Sequence, residues 1–60
     1  MFKLGTILKC IKRDYMQDCI TPGYLYVALI YWGKNVTEIV DDDGARRRYH
    51  SSCFQIVMEP

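Results

Sequence analysis

The pattern of hydrophobic and polar residues near the N-terminus predicts the first strand. In residues 6–12, TILKCIK, an extended chain has Ile7, Lys9 and Ile11 on one side and Leu8, Cys10 and Lys12 on the other. Successive side chains of a strand point to opposite faces of the sheet, so this period of two favours a strand over a helix. β-branched residues predict a strand over residues 36–41. The turn signal that follows predicts residues 45–50 as the partner strand of a hairpin, and residues 54–58 form the last strand.

The longest apolar run has a different pattern. Residues 23–33, GYLYVALIYWG, place nine consecutive apolar or aromatic residues between two glycines. A half-buried strand would alternate, whereas this segment is apolar on both faces. We predict a second strand here, and its outward face also needs a cover because one small core covers only one side of a strand.

Turn residues separate the predicted strands. Thr21-Pro22-Gly23 closes a polar loop of residues 13–23, because proline fixes one dihedral angle and glycine permits the left-handed turn. Asp42-Asp43-Gly44 predicts a tight hairpin between the third and fourth strands. Residues 33–35 form a short turn in this scheme, and residues 51–53 a single helical turn before the last strand.

This order of elements predicts an all-β fold, a small five-stranded antiparallel SH3-like barrel made by a single domain, residues 1–60. The chain also resembles the short SH3-like β-barrel proteins of bacteriophages and bacteria. Turn residues and core aromatics carry this resemblance: Cys10-Ile11, Thr21 to Tyr26, Val40 to Gly44, Tyr49 and Phe54. The resemblance implies a phage-encoded accessory protein that binds a host macromolecule and inhibits or redirects it.

The resemblance also sets the facing of the second strand, because Tyr26 matches an inward tyrosine. The residues expected inside are Tyr24, Tyr26, Ala28 and Ile30, and those expected outside are Leu25, Val27, Leu29 and Tyr31. Burying such a side chain is worth roughly 1.5–3 kcal/mol, so four exposed in a row would forgo several kcal/mol. The cover is the N-terminal MFKL or the long loop within the monomer, a second copy, or a protein partner.

A partner-binding site is therefore predicted on the outward face of the second strand. Its apolar anchor comprises Leu25, Val27, Leu29, Tyr31 and Trp32. Aromatic residues concentrate binding energy at interfaces. Arg46 and Arg48 share one face of the fourth strand and would add charge-assisted hydrogen bonds at the rim. The expected partner is a host protein or, in a homodimer, a second copy paired at a strand edge.

Composition narrows the function classes. Eight Lys and Arg against seven Asp and Glu leave a formal charge of +1, which gives no global attraction to nucleic acid or to an anionic membrane. The N-terminal stretch lacks the features of a signal peptide, and no apolar run approaches the ~20 residues of a membrane span. We therefore expect a cytoplasmic protein, in which three unpatterned cysteines are free thiols.

A local cationic cluster supports an alternative, a nucleic-acid-binding barrel. Arg46, Arg48, Lys34 and Trp32 would bind phosphates and stack on bases. The acidic triplet Asp41 to Asp43 lies across the same predicted hairpin and would offset much of that field. We expect the arginines to form a solvated strand beside an acidic turn.

Metal binding and catalysis are not expected. The sequence DDDG lacks the alternating ligand spacing of a calcium loop, and the His50–Cys53 pair supplies only two zinc ligands. A nucleophile pair of Cys53 or Cys19 with His50 would also need an oxyanion hole and a pocket that excludes water. We therefore predict a non-enzymatic protein without a cofactor.

Overall fold

The computed structural model describes residues 3–14, 18–31 and 35–60, which form two antiparallel sheets of three short strands each. The strands are β1 (Ile7–Cys10), β2 (Leu25–Val27), β3 (Ile30–Tyr31), β4 (Val36–Val40), β5 (Arg46–His50) and β6 (Phe54–Met58). The order is β2-β1-β6 in the first sheet and β3-β4-β5 in the second. A 3-10 helix, Ser51–Cys53, precedes β6. The predictions of an all-β antiparallel fold and of a helical turn before the last strand are confirmed.

β1 is the central strand of the first sheet. Leu8 pairs with Tyr26 of β2, and Cys10 pairs with Phe54 of β6. Leu8 and Cys10 are buried and Lys9 between them is exposed, so the alternation seen in the sequence corresponds to an inner and an outer face. The predicted strand over residues 6–12 is correct in place, although the ladder spans only Ile7–Cys10.

The prediction of one continuous second strand is wrong. The segment contributes β2 to the first sheet and β3 to the second, and the change of sheet occurs at Ala28 and Leu29. The Ala28 N–H donates to the Thr6 carbonyl at 2.9 Å, whereas the Leu29 N–H donates to the Glu38 carbonyl at 2.8 Å. Adjacent backbone groups thus bond to different sheets, which interrupts the strand.

The core lies between the two sheets and is centred on aromatic residues. Phe54 of β6 packs edge-on against Tyr26 at 6.1 Å and against Tyr49 at 6.4 Å between ring centroids. Both geometries, with interplanar angles of 69° and 88°, are the edge-to-face arrangement that aromatic quadrupoles favour. The remaining buried apolar residues are Leu8, Cys10, Ile20, Ala28, Ile39 and Cys53.

Tyr24 does not face the core, so its predicted inward position is wrong. The chain is still turning at this point: Gly23 has a φ of +93°, and the Tyr24 N–H donates to the Thr21 carbonyl at 3.0 Å. The Tyr24 side chain is exposed because the residue precedes the regular part of β2. The prediction for Tyr24 was wrong because it extended the alternation of the strand from Tyr26 into this turn.

The predicted hairpin between β4 and β5 is confirmed. The Gly44 N–H donates to the Asp41 carbonyl at 2.9 Å, and the Asp41 N–H donates to the Ala45 carbonyl at 3.0 Å. Gly44 has a φ of +78°, a conformation that costs other residues roughly 1–2 kcal/mol.

In the described part of the chain, no helix has the length and apolarity that crossing a membrane requires.

Candidate functional site

The outward side of the first sheet presents two cross-strand rows of side chains. Residues directly opposite in antiparallel strands share a face. The register therefore defines one row as Leu25, Lys9 and Gln55. The pairing of β1 with β6 shifts between Leu8 and Ile7, and beyond this irregularity the next row is Val27, Ile7 and Met58. We call these six residues the outer face. Four of them are apolar, and Lys9 carries the only charge among the six.

The outer face is open to solvent. Leu25 is 60%, Val27 46% and Met58 62% exposed, and Ile7 is half-buried. The prediction that Leu25 and Val27 point outward is confirmed. Ile7 and Met58 were missed, because only the pairing of β1 with β2 and β6 shows that they join this surface.

The rest of the predicted apolar anchor is less well placed. Leu29 is half-buried, because its backbone already belongs to the crossing toward the second sheet. The backbone of Tyr31 pairs with Thr37 in that second sheet, away from β2. The side chains of Ile30 and Tyr31, together with Trp32 and Lys34, lie outside the described part of the chain.

No described segment shields the apolar side chains of the outer face. Of the two proposed internal covers, the long loop instead turns toward the core, where Ile20 is almost fully buried. Leu4, from the other proposed cover, is itself strongly exposed. Met1, Phe2 and residues 15–17 lie outside the described residues. Within the described chain the outer face therefore remains without a cover.

The cationic cluster on β5 is engaged by carboxylates. Arg46 forms an ion pair with Glu38 at 3.2 Å on the paired strand. Arg47 bridges Asp41 at 2.9 Å and Asp43 at 3.0 Å. Arg48 also interacts within the chain. The expectation that the acidic turn offsets the arginines is therefore supported for Arg47, and the acids reduce the positive field available to phosphates.

Asp41 is the buried centre of the hairpin. Its Oδ2 accepts hydrogen bonds from the Tyr49 hydroxyl at 2.8 Å and from Arg47 Nη1 at 2.9 Å, and its Oδ1 accepts from the Asp43 and Ala45 N–H groups. Burial alone would raise the pKa of the Asp41 carboxyl, but these hydrogen bonds outweigh it and lower the pKa. The carboxylate is an internal structural anchor.

Asp42 fastens the long loop to the same hairpin. It accepts hydrogen bonds from the Thr21 and Tyr26 hydroxyls, both at 2.6 Å, and its N–H donates to the Cys19 carbonyl at 2.8 Å. Burial and the bond to Asp42 raise the pKa of Tyr26 to about 12. The acidic triplet thus holds together elements that are distant in sequence.

The residues considered as metal ligands or nucleophiles have structural roles. The His50 ring caps the 3-10 helix by accepting from the Ser52 N–H, and its Nδ1 lies 2.8 Å from the Ser52 hydroxyl. Cys10 and Cys53 are buried, and burial raises the pKa of both thiols. Within residues 3–14, 18–31 and 35–60, no three metal-ligating side chains converge. The role of His50 as a cap was not predicted; its place directly before SSC was the available signal.

Comparison of the chain with protein-family models, with curated proteins and with solved structures finds no match.

Proposed function

We propose that this chain is a small, non-enzymatic protein-binding module that docks a partner protein on its outer face. One observation carries the proposal: Leu25 and Val27 of β2 and Met58 of β6 belong to the outer face of the first sheet and are each about half exposed or more. In this proposal the two sheets are the halves of an SH3-like barrel. The proposed setting is the cytoplasm of a bacterial host, where a phage-encoded protein of this type would inhibit or redirect a host protein.

The free energy gained by burying the outer face can be compared with the free-energy cost of association. Full burial of a Leu, Val or Met side chain is worth roughly 1.5–3 kcal/mol, so covering the exposed fractions of Leu25, Val27 and Met58 would yield about 2.5–5 kcal/mol. Association of two proteins costs an estimated 4–15 kcal/mol in lost freedom of motion. The apolar side chains would therefore need polar contacts or a larger footprint to give stable binding.

Two valines provide a matched test. Val27 on the outer face and Val40 on β4 are both 46% exposed strand residues, but they belong to different sheets. We expect Val27→Asp to abolish partner capture from a bacterial lysate, because a carboxylate in the docked face would lose its water. Val40→Asp should leave capture unchanged. Circular dichroism of both variants verifies that each is folded.

The outcome against the proposal is equally specific. Identical sets of captured proteins for the wild type and Val27→Asp would refute docking on the outer face. Sedimentation at increasing concentration tests whether the occupant is a second copy, in which case the mass doubles for the wild type and Val40→Asp but not for Val27→Asp. Raising the salt concentration should change capture only modestly, whereas binding through phosphates would weaken steeply.

A further inference from the structure

Lys9 lies on the central strand of the outer face, in one of its two rows. It stands opposite Leu25 of β2 on one side and opposite Gln55 of β6 on the other. Along β1, Ile7 and Ile11 lie two residues away, on the same side of the strand. The neighbours of Lys9 on this side of the sheet are therefore three apolar residues and one neutral amide.

No carboxylate of the outer face balances this charge. The ion pairs among the described residues join Arg46 and Arg47 to acids of β4 and of the hairpin that follows it, and none includes Lys9. Glu59 follows Met58, which pairs with Ile7, so it lies beyond the end of the sheet that is farther from Lys9. In the free protein the exposed ammonium is hydrated, and docking would remove that water.

The width and the charge of the outer face indicate which structure of a partner protein would fit it. Three strands spaced by about 4.8 Å make a face roughly 10 Å wide between its outer strands, which matches the diameter of one α-helix. A buried ammonium is tolerated only when it is paired and hydrogen-bonded. We propose that the outer face binds an amphipathic helix of a partner protein whose apolar stripe carries one carboxylate opposite Lys9. This inference rests on the proposed docking function.

The same charge argues against a second copy as the occupant. In a symmetric dimer the same patch meets itself, so two outer faces packed about a two-fold axis would bring Lys9 close to its equivalent. Like charges brought together in a desolvated interface oppose association. The outer face therefore favours a different protein with the opposite charge.

Three model helices test the chemistry directly. They share one sequence with a leucine stripe and differ only at the central position of that stripe, which is Glu, Gln or Lys. Each is titrated into isotopically labelled protein, and amide chemical-shift changes give both the affinity and the location. We expect the strongest shifts at Leu25, Val27 and Met58, with the Glu helix binding at least tenfold more tightly than the Lys helix.

Charge exchange supplies the control. Lys9→Glu should reverse the preference, so that the Lys helix binds more tightly than the Glu helix. Lys12→Glu makes the same change of charge at an exposed residue beyond the end of β1 and should leave the preference unchanged. This pair separates a contact at Lys9 from an effect of net charge.

The possible failures are distinguishable. Shifts on the outer face with equal affinities for the three helices would overturn the carboxylate inference and leave the docking function standing. Shifts confined to other residues, or no binding by any helix, would overturn the inference and count against the docking function as well. A preference unchanged by Lys9→Glu would show that the partner's charge is read elsewhere, which also overturns the inference.

Discussion

Replacing Asp41 by Asn tests whether the buried carboxylate anchors the hairpin. Oδ1 of Asp41 accepts from two backbone N–H groups, so the amide oxygen of Asn should stay there and its NH₂ should take the place of Oδ2. The Tyr49 hydroxyl can rotate to accept from that NH₂. Arg47 has only donors, so its hydrogen bond to position 41 is lost.

The expected cost follows from that one lost contact. A hydrogen bond to a charged group contributes about 1.5–3 kcal/mol. Arg47 keeps Asp43 as a partner and its side chain is 37% exposed, so solvent screening places the cost at the lower end, about 1.5–2 kcal/mol. Sixty residues at about 0.05–0.15 kcal/mol each give a total stability of roughly 3–9 kcal/mol. The substitution should therefore remove a large part of the stability.

Urea unfolding followed by circular dichroism measures the change. With an m-value of about 1 kcal/mol/M, the midpoint should fall by about 1.5–2 M for Asp41→Asn. Asp43→Asn is the control: Asp43 is an exposed partner of the same arginine, so its loss should lower the urea midpoint clearly less than the loss of Asp41 does. A cost below about 0.5 kcal/mol for Asp41→Asn, or equal costs for the two variants, would refute the anchoring role.

The pH dependence provides a second check on Asp41. Its pKa is lower in the folded protein than in the unfolded chain, so the unfolded chain binds more protons as the pH falls. The stabilisation is complete above the unfolded pKa of about 3.9 and is lost as the pH falls through the lower folded value. The stability difference between the wild type and Asp41→Asn should therefore narrow below about pH 4. A constant difference would contradict the assignment.

Two further predictions concern the other buried groups. Tyr26→Phe removes the hydroxyl that donates to Asp42 and should cost about 1–2 kcal/mol in urea unfolding. The pKa of Tyr26 is raised to about 12, so its hydroxyl should contribute fully to the free energy of unfolding below about pH 10. This contribution should disappear as the pH rises through 12, whereas the stability of Tyr26→Phe should not change for this reason. Iodoacetamide should modify Cys10 and Cys53 only slowly in the native protein and rapidly in urea, because burial raises the pKa of both thiols and restricts access to them. Mass spectrometry measures the two rates of modification. Equal rates in the native protein and in urea would contradict the buried placement.

Local patterns predicted the strands well because their causes are local. Alternation located β1, and Asp42 to Gly44 located the hairpin, since a period of two and a left-handed glycine are properties of neighbouring residues. The division between β2 and β3 was missed for the same reason. An apolar run has the same sequence pattern whether it lies in one sheet or passes from one sheet to another. The hydrogen-bond partners that determine the change of sheet, Thr6 and Glu38, are remote in sequence from one another.

The candidate site was only partly predictable. Leu25 and Val27 were identified because the resemblance placed Tyr26 inward, and the residues on either side of it in a strand then point outward. The contributions of Ile7 and Met58 depend on cross-strand register, which a single sequence does not specify. The central position of Lys9 depends on the same register. Its alternation with Ile7 put both residues on one side of β1, but the sequence did not show which neighbours would surround that side.

The segment that links the two sheets is hydrogen-bonded on both sides of one peptide bond. Ala28 is hydrogen-bonded to the chain just before β1, and the next residue, Leu29, is hydrogen-bonded to β4. Each bond lies within one half of the molecule, so rotating the sheets apart at this peptide would leave both bonds intact but would expose the aromatic core between the sheets to water. Loop tips can fray independently, whereas we expect these two amide protons to exchange with solvent more slowly than those of the loops.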